Sequence, residues 1–368
     1  MIGGRATPEG TRRFARSSSA APEHFRESIG LSLSSIGLGT YLGDEDAATD
    51  AGYEAAVAAA LAAGVNVLDT AINYRGQKSE RAIGRALARA FSEGSVRRDE
   101  VFVATKGGYF PHDADDPRPS RQYVADTFLT TGLAPEAEIA QGCHCIHPRY
   151  IADQLERSRS NLGLETIDLY YLHNVETQLT VVDAAVFRRR LEAAITLLEG
   201  AAEEGLIGAW GVATWDGLRV PPEHPEHLSL SAIGELARGI AGDEHHFRGF
   251  QLPFNLAMAQ GLGYRSQRSQ ESGDRRLPAL EFARESGLAA FGSASLLQGR
   301  LAGGLPEEVT SAFPEADGPA QCALQFSRSA PGMTTALVGV SSSEHAAENF
   351  ALARVPPAPA DSVLGLFG

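Results

Sequence analysis

Residues 37–43 read GLGTYLG, and this short stretch decides between two folds. It follows an apolar run, "SSIGLGT" at 34–40, as a glycine-rich phosphate loop follows the first strand of an open, doubly wound sheet. That loop needs G-x-G-x-x-G opening a helix, so that backbone N–H groups reach a pyrophosphate. Here the spacing is G-x-G-x-x-x-G, one residue too long, and no helical pattern begins there. The fingerprint fails, and the architecture has to be read from the rest of the chain.

Working outward, short runs rich in Val, Ile and Leu alternate with segments rich in Ala, Leu, Glu and Arg. The strand-like runs are 34–40, 65–70, 101–106, 167–173, 207–214, 249–255, 289–295 and 335–340. They are nearly continuous apolar runs, the mark of parallel strands buried on both faces. Helical stretches follow, among them 51–64, 79–91, 149–163 and 188–205. In the last, Leu191, Ile195, Leu198 and Ala202 recur at three- and four-residue steps along one helix face. Gly64, Gly163 and Gly205 stand where helices end in a left-handed residue. Eight strand–helix units predict an α/β fold, a (β/α)8 TIM barrel in a single domain over 31–354. Residues 1–30 are expected to form a cover or hairpin at one end, and 355–368 a tail. Long connections, 107–148 after strand 3 and 256–275 after strand 6, follow strands and therefore belong to the C-terminal rim, where barrels build their sites.

Bulk composition narrows the function. A formal net charge of −14 speaks against nucleic acid or an anionic membrane as a partner. No apolar run approaches the roughly 20 residues that span a bilayer. The stretch TRRFARSSSAAPEHF (11–25) has paired arginines but no apolar h-region behind them, so a cytoplasmic, non-exported protein is expected; its Arg and Ser content leaves a transit peptide open. Three cysteines give no disulfide framework. Two of them stand in GCHCIH (142–147), where Cys143, His144, Cys145 and His147 invite a metal. C-x-C is tighter than the usual zinc spacing and no second ligand pair lies near, so no metal is expected and a packed or substrate-facing loop is preferred.

Polar residues interrupt the apolar pattern at strand ends. Asp69 ends strand 2, Tyr74 lies in the loop after it, Lys106 ends strand 3 and His173 ends strand 4. Singly, each has an ordinary structural reading: a turn former, a lysine reaching out to solvent, a satisfied core histidine. Gathered at one rim they suggest proton transfer. A free phenol has a pKa near ~10 and a neighbouring cation lowers it, which predicts that Lys106, held by Asp69, brings Tyr74 toward neutrality. His173 would orient a substrate oxygen or relay the proton. Tyr74 and Lys78 also form Y-x-x-x-K, a pair that belongs on a helix of a Rossmann domain, a context absent here.

The segments GVNVLDTAINYRGQKSERAIGRAL, VFVATKGG, LGLETIDLYYLHN, GLIGAWGVATW and VGVSSSEHAAENF resemble, in order and spacing, the aldo/keto reductases from about residue 30 to 352. The resemblance implies an NAD(P)-dependent reductase interconverting a carbonyl and an alcohol, with Tyr74 as general acid/base, Lys106 and Asp69 as its tuners and His173 orienting the substrate. It further implies a nicotinamide cofactor, NADP rather than NAD, touching Gly39, Thr40, Tyr41, Asp69, Thr214, Gln251, Ser293, Leu296, Gly339, Ser341, Glu348 and Asn349. A small-molecule substrate would meet Tyr41, Tyr109, Phe110 and Asn174. Departures from the family pattern are Ala213-Thr214 where a Ser-Asn pair usually holds the carboxamide, Ser293 in the place of a ring-stacking aromatic, and Gly339 and His345 where a 2′-phosphate is usually gripped by Lys and Arg. Two other readings are a cofactor-binding barrel acting as a regulatory or scaffold subunit, and a metal-dependent hydrolase built on His173 and the CHCIH segment.

Overall fold

Eight short parallel strands close on themselves in the computed structural model, which describes residues 1–340 and 342–367. In chain order they are β1 (Ile36–Gly39), β2 (Val67–Asp69), β3 (Phe102–Gly107), β4 (Ile167–His173), β5 (Ile207–Ala213), β6 (Phe247–Pro253), β7 (Ala289–Ser293) and β8 (Thr335–Gly339). Each pairs in parallel with the next, and β8 pairs with β1 through Ala336↔Ile36 to Gly39↔Gly339, closing a (β/α)8 barrel. Every residue of β3 and β4 is buried, which is why these segments read as unbroken apolar runs.

The helices outside are α1 (Ala47–Ala62), α2 (Lys78–Ser92), α3 (Pro148–Leu162), α4 (Ala184–Glu203), α5 (Leu230–Ala241), α6 (Ala279–Ser286), α7 (Pro319–Ser329) and α8 (Ser343–Ala351). Local chemistry sets several of their ends. Asp46 and Asp183 cap α1 and α4 by accepting from the N–H groups of Thr49 and Val186, each at 2.8 Å. Gly163 closes α3 at φ +67°, a conformation that costs glycine little.

The N-terminal segment supplies a helix, Pro8–Ser17, and a hairpin, Phe25–Ser28 with Leu31–Ser34. The hairpin therefore runs past residue 30, the boundary expected from sequence. Leu33 seals the lower barrel interior together with Val67, Phe102, Leu169, Ala209, Ala289 and Leu337. Asn66, just before β2, ties plug to barrel. Its Oδ1 accepts from the Ser34 N–H at 2.9 Å, and its Nδ2 donates to the carbonyls of Ser32 and Glu100 at 3.0 and 3.2 Å.

At the opposite end the connection after β3 is folded back on itself. It carries a helical piece, Ser120–Val124, running on through Ala125–Leu129, and an antiparallel bridge between Tyr109 and His144. The connection after β6 holds a small hairpin, Gln267–Arg268 with Arg276–Leu277. Among the described residues no helix is long and apolar enough to cross a membrane.

Asn66→Ala strands three buried backbone groups at once. Each buried unpaired group costs about 1–3 kcal/mol, so a clear drop in the urea midpoint is expected, with the rim chemistry intact in the remaining folded protein. An unchanged midpoint would refute the tie between plug and barrel.

Candidate active site

Asp69, Lys106 and His173 stand at the C-terminal ends of adjacent strands β2, β3 and β4, and Tyr74 hangs over them from the loop after β2. Lys106 is completely buried. Its Nζ lies 2.5 Å from Asp69 Oδ1 and donates to the Thr70 carbonyl at 2.7 Å. Asp69 Oδ2 accepts from Gln251 Nε2 at 2.8 Å, so both carboxylate oxygens are engaged. Burial pushes the Asp69 pKa up and the Lys106 pKa down, and each charge holds the other against that pressure.

The same amine sits 5.0 Å from the centroid of the half-buried Tyr74 ring, and His173 meets that ring edge-on at 6.0 Å. The expected lowering of the Tyr74 pKa is overturned. It is raised well above 10, first by burial and then by the Asp69 charge. The sequence exhibits the cation but not the burial of the phenol or the carboxylate charge beside it, which together outweigh the cation. The phenol therefore keeps its proton near pH 7. His173 is pushed well below 6.5 by burial and then by Lys106, so its ring is neutral near pH 7.

The loop carrying Tyr74 is held in an unusual shape. Arg75, Gly76 and Gln77 have φ of +49°, +55° and +70° in succession. A left-handed conformation at a side-chain-bearing residue costs energy and persists only where surroundings impose it. The buried Arg75 guanidinium does so, donating from Nη2 to Asp50 Oδ1 at 2.7 Å and from Nε to the Asp44 carbonyl at 2.8 Å, over the Tyr53 ring. Gln77 Nε2 donates to the His112 carbonyl at 3.1 Å. Lys78, the second half of the Y-x-x-x-K pair, opens α2 and bonds Asp115, so it shares no helix with Tyr74.

Residues expected to line the pocket divide. The exposed Tyr41 (57%) meets Tyr74 edge-on at 5.0 Å, and Tyr109 meets His173 at 5.2 Å with its hydroxyl 3.3 Å from Asn174 Nδ2. Phe110 is different: it stacks on Phe128 at 5.9 Å and meets Tyr150 at 5.2 Å. Neighbouring residues of an extended segment face opposite ways, so with Tyr109 toward His173 its neighbour packs inside the loop. In the CHCIH cluster, His144 and Cys145 are buried, and no group of three or more His, Cys, Asp or Glu among the described residues is placed to hold a metal ion.

For a nicotinamide cofactor the rim offers several fitting features. Gly39 and Gly339 end paired strands with no side chain between them, and a Cβ at either would meet nothing closer than 3.7 Å. The Thr40 hydroxyl donates to the Asp69 carbonyl at 3.3 Å, and the Thr214 N–H donates to the Gln251 carbonyl at 2.9 Å. Ser293 at the end of β7 and Leu296 just beyond it are half-buried, and Glu348 is exposed on α8. Asn349 beside it is buried, and its Oδ1 has no partner among the described residues, an acceptor left for a bound group. Ser341 lies outside the described residues. Phe291 offers no substitute for the missing stacking aromatic, since it stacks on Phe102 inside the barrel at 5.9 Å.

Glu176, just past β4, escaped the sequence reading altogether. Its Oε1 accepts from the N–H groups of Trp215, Asp216 and Gly217 at 2.6, 3.1 and 3.4 Å, fixing the loop directly after Thr214. No motif marks it, because its partners are backbone groups of a distant loop.

The family model described as Aldo/keto reductase family matches residues 35–220. Aldose reductase B of Dictyostelium discoideum is 28% identical over 138 residues, 38% of this chain and 31% of that protein. An NADPH-dependent aldose reductase of Saccharomyces cerevisiae is 25% identical over 144 residues, 39% of this chain and 31% of that protein. D-threo-aldose 1-dehydrogenase of Pseudomonas sp is 30% identical over 161 residues, 44% of this chain and 43% of that protein. These matches thus span only 31% to 43% of the relatives' own length. Among solved structures, an aldo/keto reductase from Klebsiella pneumoniae in complex with NADP and acetate is 21% identical with a TM-score of 0.61, covering 93% of this chain and 94% of that one. At that identity the likeness speaks for the fold alone.

Burial raises the Glu176 carboxyl to about 7 from 4.5, although the three N–H donors pull it down. A folded pKa above the unfolded one means that the group's contribution to stability is complete below about pH 4.5 and is lost as the pH rises through about 7. Glu176→Gln cannot titrate, so its melting temperature is expected to fall less between about pH 5 and about pH 8 than that of the parent protein. Parallel melting curves for the two would contradict the burial argument.

Proposed function

Since the chain belongs to the aldo/keto reductase family, we propose that it is an NADP(H)-dependent oxidoreductase interconverting a carbonyl and an alcohol, with Tyr74 as the proton donor in reduction. The observation that carries this reading is geometric: the Tyr74 ring lies 5.0 Å from the amine of the buried Lys106–Asp69 ion pair and meets the His173 ring edge-on at 6.0 Å. NADP(H), when bound, supplies the hydride. The cofactor is held along Gly39, Thr40, Thr214, Gln251, Ser293, Leu296, Gly339, Glu348 and Asn349.

The chain's own residues do the rest. A substrate carbonyl oxygen settles between the Tyr74 hydroxyl and the His173 ring, which presents a neutral imidazole and so orients without adding charge. As negative charge develops on that oxygen, Tyr74 gives up its proton to it. The phenolate left behind is stabilised by Lys106, whose amine lies 5.0 Å from the ring centroid. Asp69 keeps Lys106 protonated and in place, and Gln251 in turn keeps Asp69 from swinging away. Tyr41 and Tyr109 flank the approach, and the partly exposed Trp215 (42%) stands on the neighbouring loop. The free cysteines Cys143, Cys145 and Cys322 fit the cytoplasmic setting expected from the sequence.

A cofactor-binding barrel without turnover is the second reading, favoured by the missing stacking aromatic at Ser293 and the missing hydroxyl at Ala213. The two are separated by assaying a panel of aldehydes with NADPH beside the melting shift that NADPH produces. In the main reading Tyr74→Phe lowers turnover about a hundred- to ten-thousand-fold and keeps the NADPH melting shift. Undiminished turnover in Tyr74→Phe would end the proton-donor assignment; an NADPH shift with no turnover on any aldehyde would favour the second reading.

A further inference from the structure

Gly108 has a φ of +149°, and a Cβ there would lie 2.9 Å from both His144 Nε2 and the His173 carbonyl oxygen. The glycine leaves room for one contact: His144 Nε2 donates to that carbonyl at 2.7 Å. Because a carbonyl only accepts, Nε2 carries the proton and Nδ1 is an acceptor. Gln178 Nε2 fills it at 2.9 Å, and Gln178 Oε1 accepts from Arg190 of α4 at 2.5 Å. The imidazole is buried, and burial lowers its pKa to about 4, so this tautomer persists at working pH. The Tyr109 ring stands between the two histidines, 5.0 Å from His144 at 74° and 5.2 Å from His173 at 90°.

His173 needs such support. Its Nδ1 is buried with no hydrogen-bond partner among the described residues, so no side-chain bond at that nitrogen orients the ring. The next residue, Asn174, sits at φ +46°, a strained position from which the strand end can relax. We propose that His144, delivered by the long connection after β3, is the positioning residue for His173, pinning its carbonyl directly and its ring plane through Tyr109. This rests on the reading of His173 as the group that orients the substrate carbonyl. It gives the CHCIH segment a role in which one histidine serves another and no metal takes part.

The test compares the parent protein, His144→Ala and His144→Gln, whose longer amide can still donate to the His173 carbonyl. In carbonyl reduction, His144→Ala is expected to lose about tenfold to a hundredfold in kcat/KM with the NADPH melting shift unchanged, as a misplaced reacting group does, and His144→Gln to recover most of it. A second arm needs no turnover: in protein labelled with 15N-histidine, the His173 ring signals, assigned by their loss in His173→Gln, should move in His144→Ala and return in His144→Gln. Should His144→Ala not fold, Gln178→Leu keeps the imidazole but removes the bond that orients it, and should move the same signals. Unmoved His173 signals in His144→Ala, or in Gln178→Leu where it replaces it, overturn the proposal, as does a His144→Gln variant that behaves like His144→Ala. Absence of turnover in the parent protein would sink the proposed function instead, and leaves the ring signals to decide this claim.

Discussion

The rim depends on a single buried contact, the ion pair between Lys106 Nζ and Asp69 Oδ1. Taking two charges out of water costs several kcal/mol per ion, and attraction between them compensates only when the remaining donors and acceptors are satisfied. Here most are: the Thr70 carbonyl takes a second of the three lysine protons, and Gln251 caps the other carboxylate oxygen. The pair links β2, β3 and β6, so removing either partner leaves an uncompensated charge under Tyr74 and loosens the barrel where a substrate would dock. It also bears on the phenol: burial raises the Tyr74 pKa first, and the Asp69 charge adds to it.

The phenol also separates what was legible in the sequence from what was not. Strand positions were legible because parallel strands buried on both faces must be continuous apolar runs, and every expected run overlaps an observed strand. Asp69, Lys106 and His173 were legible for the same reason: a polar side chain ending such a run is conspicuous, and barrel topology sends all strand ends to one rim. The pKa of Tyr74 was not, because it depends first on how deeply the fold buries the phenol and then on how near it brings the Asp69 charge. Phe110 was misplaced because facing cannot be read inside an irregular loop. Arg75, Gln77 and Glu176 were invisible as site residues, since their partners are chiefly main-chain groups far away in sequence, and His144 was singled out only as a candidate metal ligand or part of a packed or substrate-facing loop.

Those unmarked residues share a task. Side-chain-bearing residues with positive φ occur after β2 (Arg75 and Gln77), after β4 (Asn174) and after β7 (Ala294, Leu297 and Gln298). Each such residue costs about 1–3 kcal/mol, a large sum against the marginal stability of any domain. Strain of this size on a surface loop would relax unless something opposed it. After β2 the opposition is Arg75 clamped onto Asp50 and Asp44. After β4 it comes from both sides of the strand end: His144 holds the carbonyl of His173, and the Asn174 N–H donates to the Ala213 carbonyl at 2.6 Å.

The arrangement has a consequence for how the rim works. On the proposed function, a phenol and an imidazole that meet the same substrate oxygen must be held to a fraction of an ångström, and short loops in relaxed conformations cannot offer that unaided. Here two strained turns are braced from behind by buried polar side chains, so that bracing and chemistry lie on different residues. The connection after β3 is long because it crosses behind Tyr109 to deliver His144 and returns to start α3. Its length is then a requirement of the site it supports, whatever the substrate its outer surface selects.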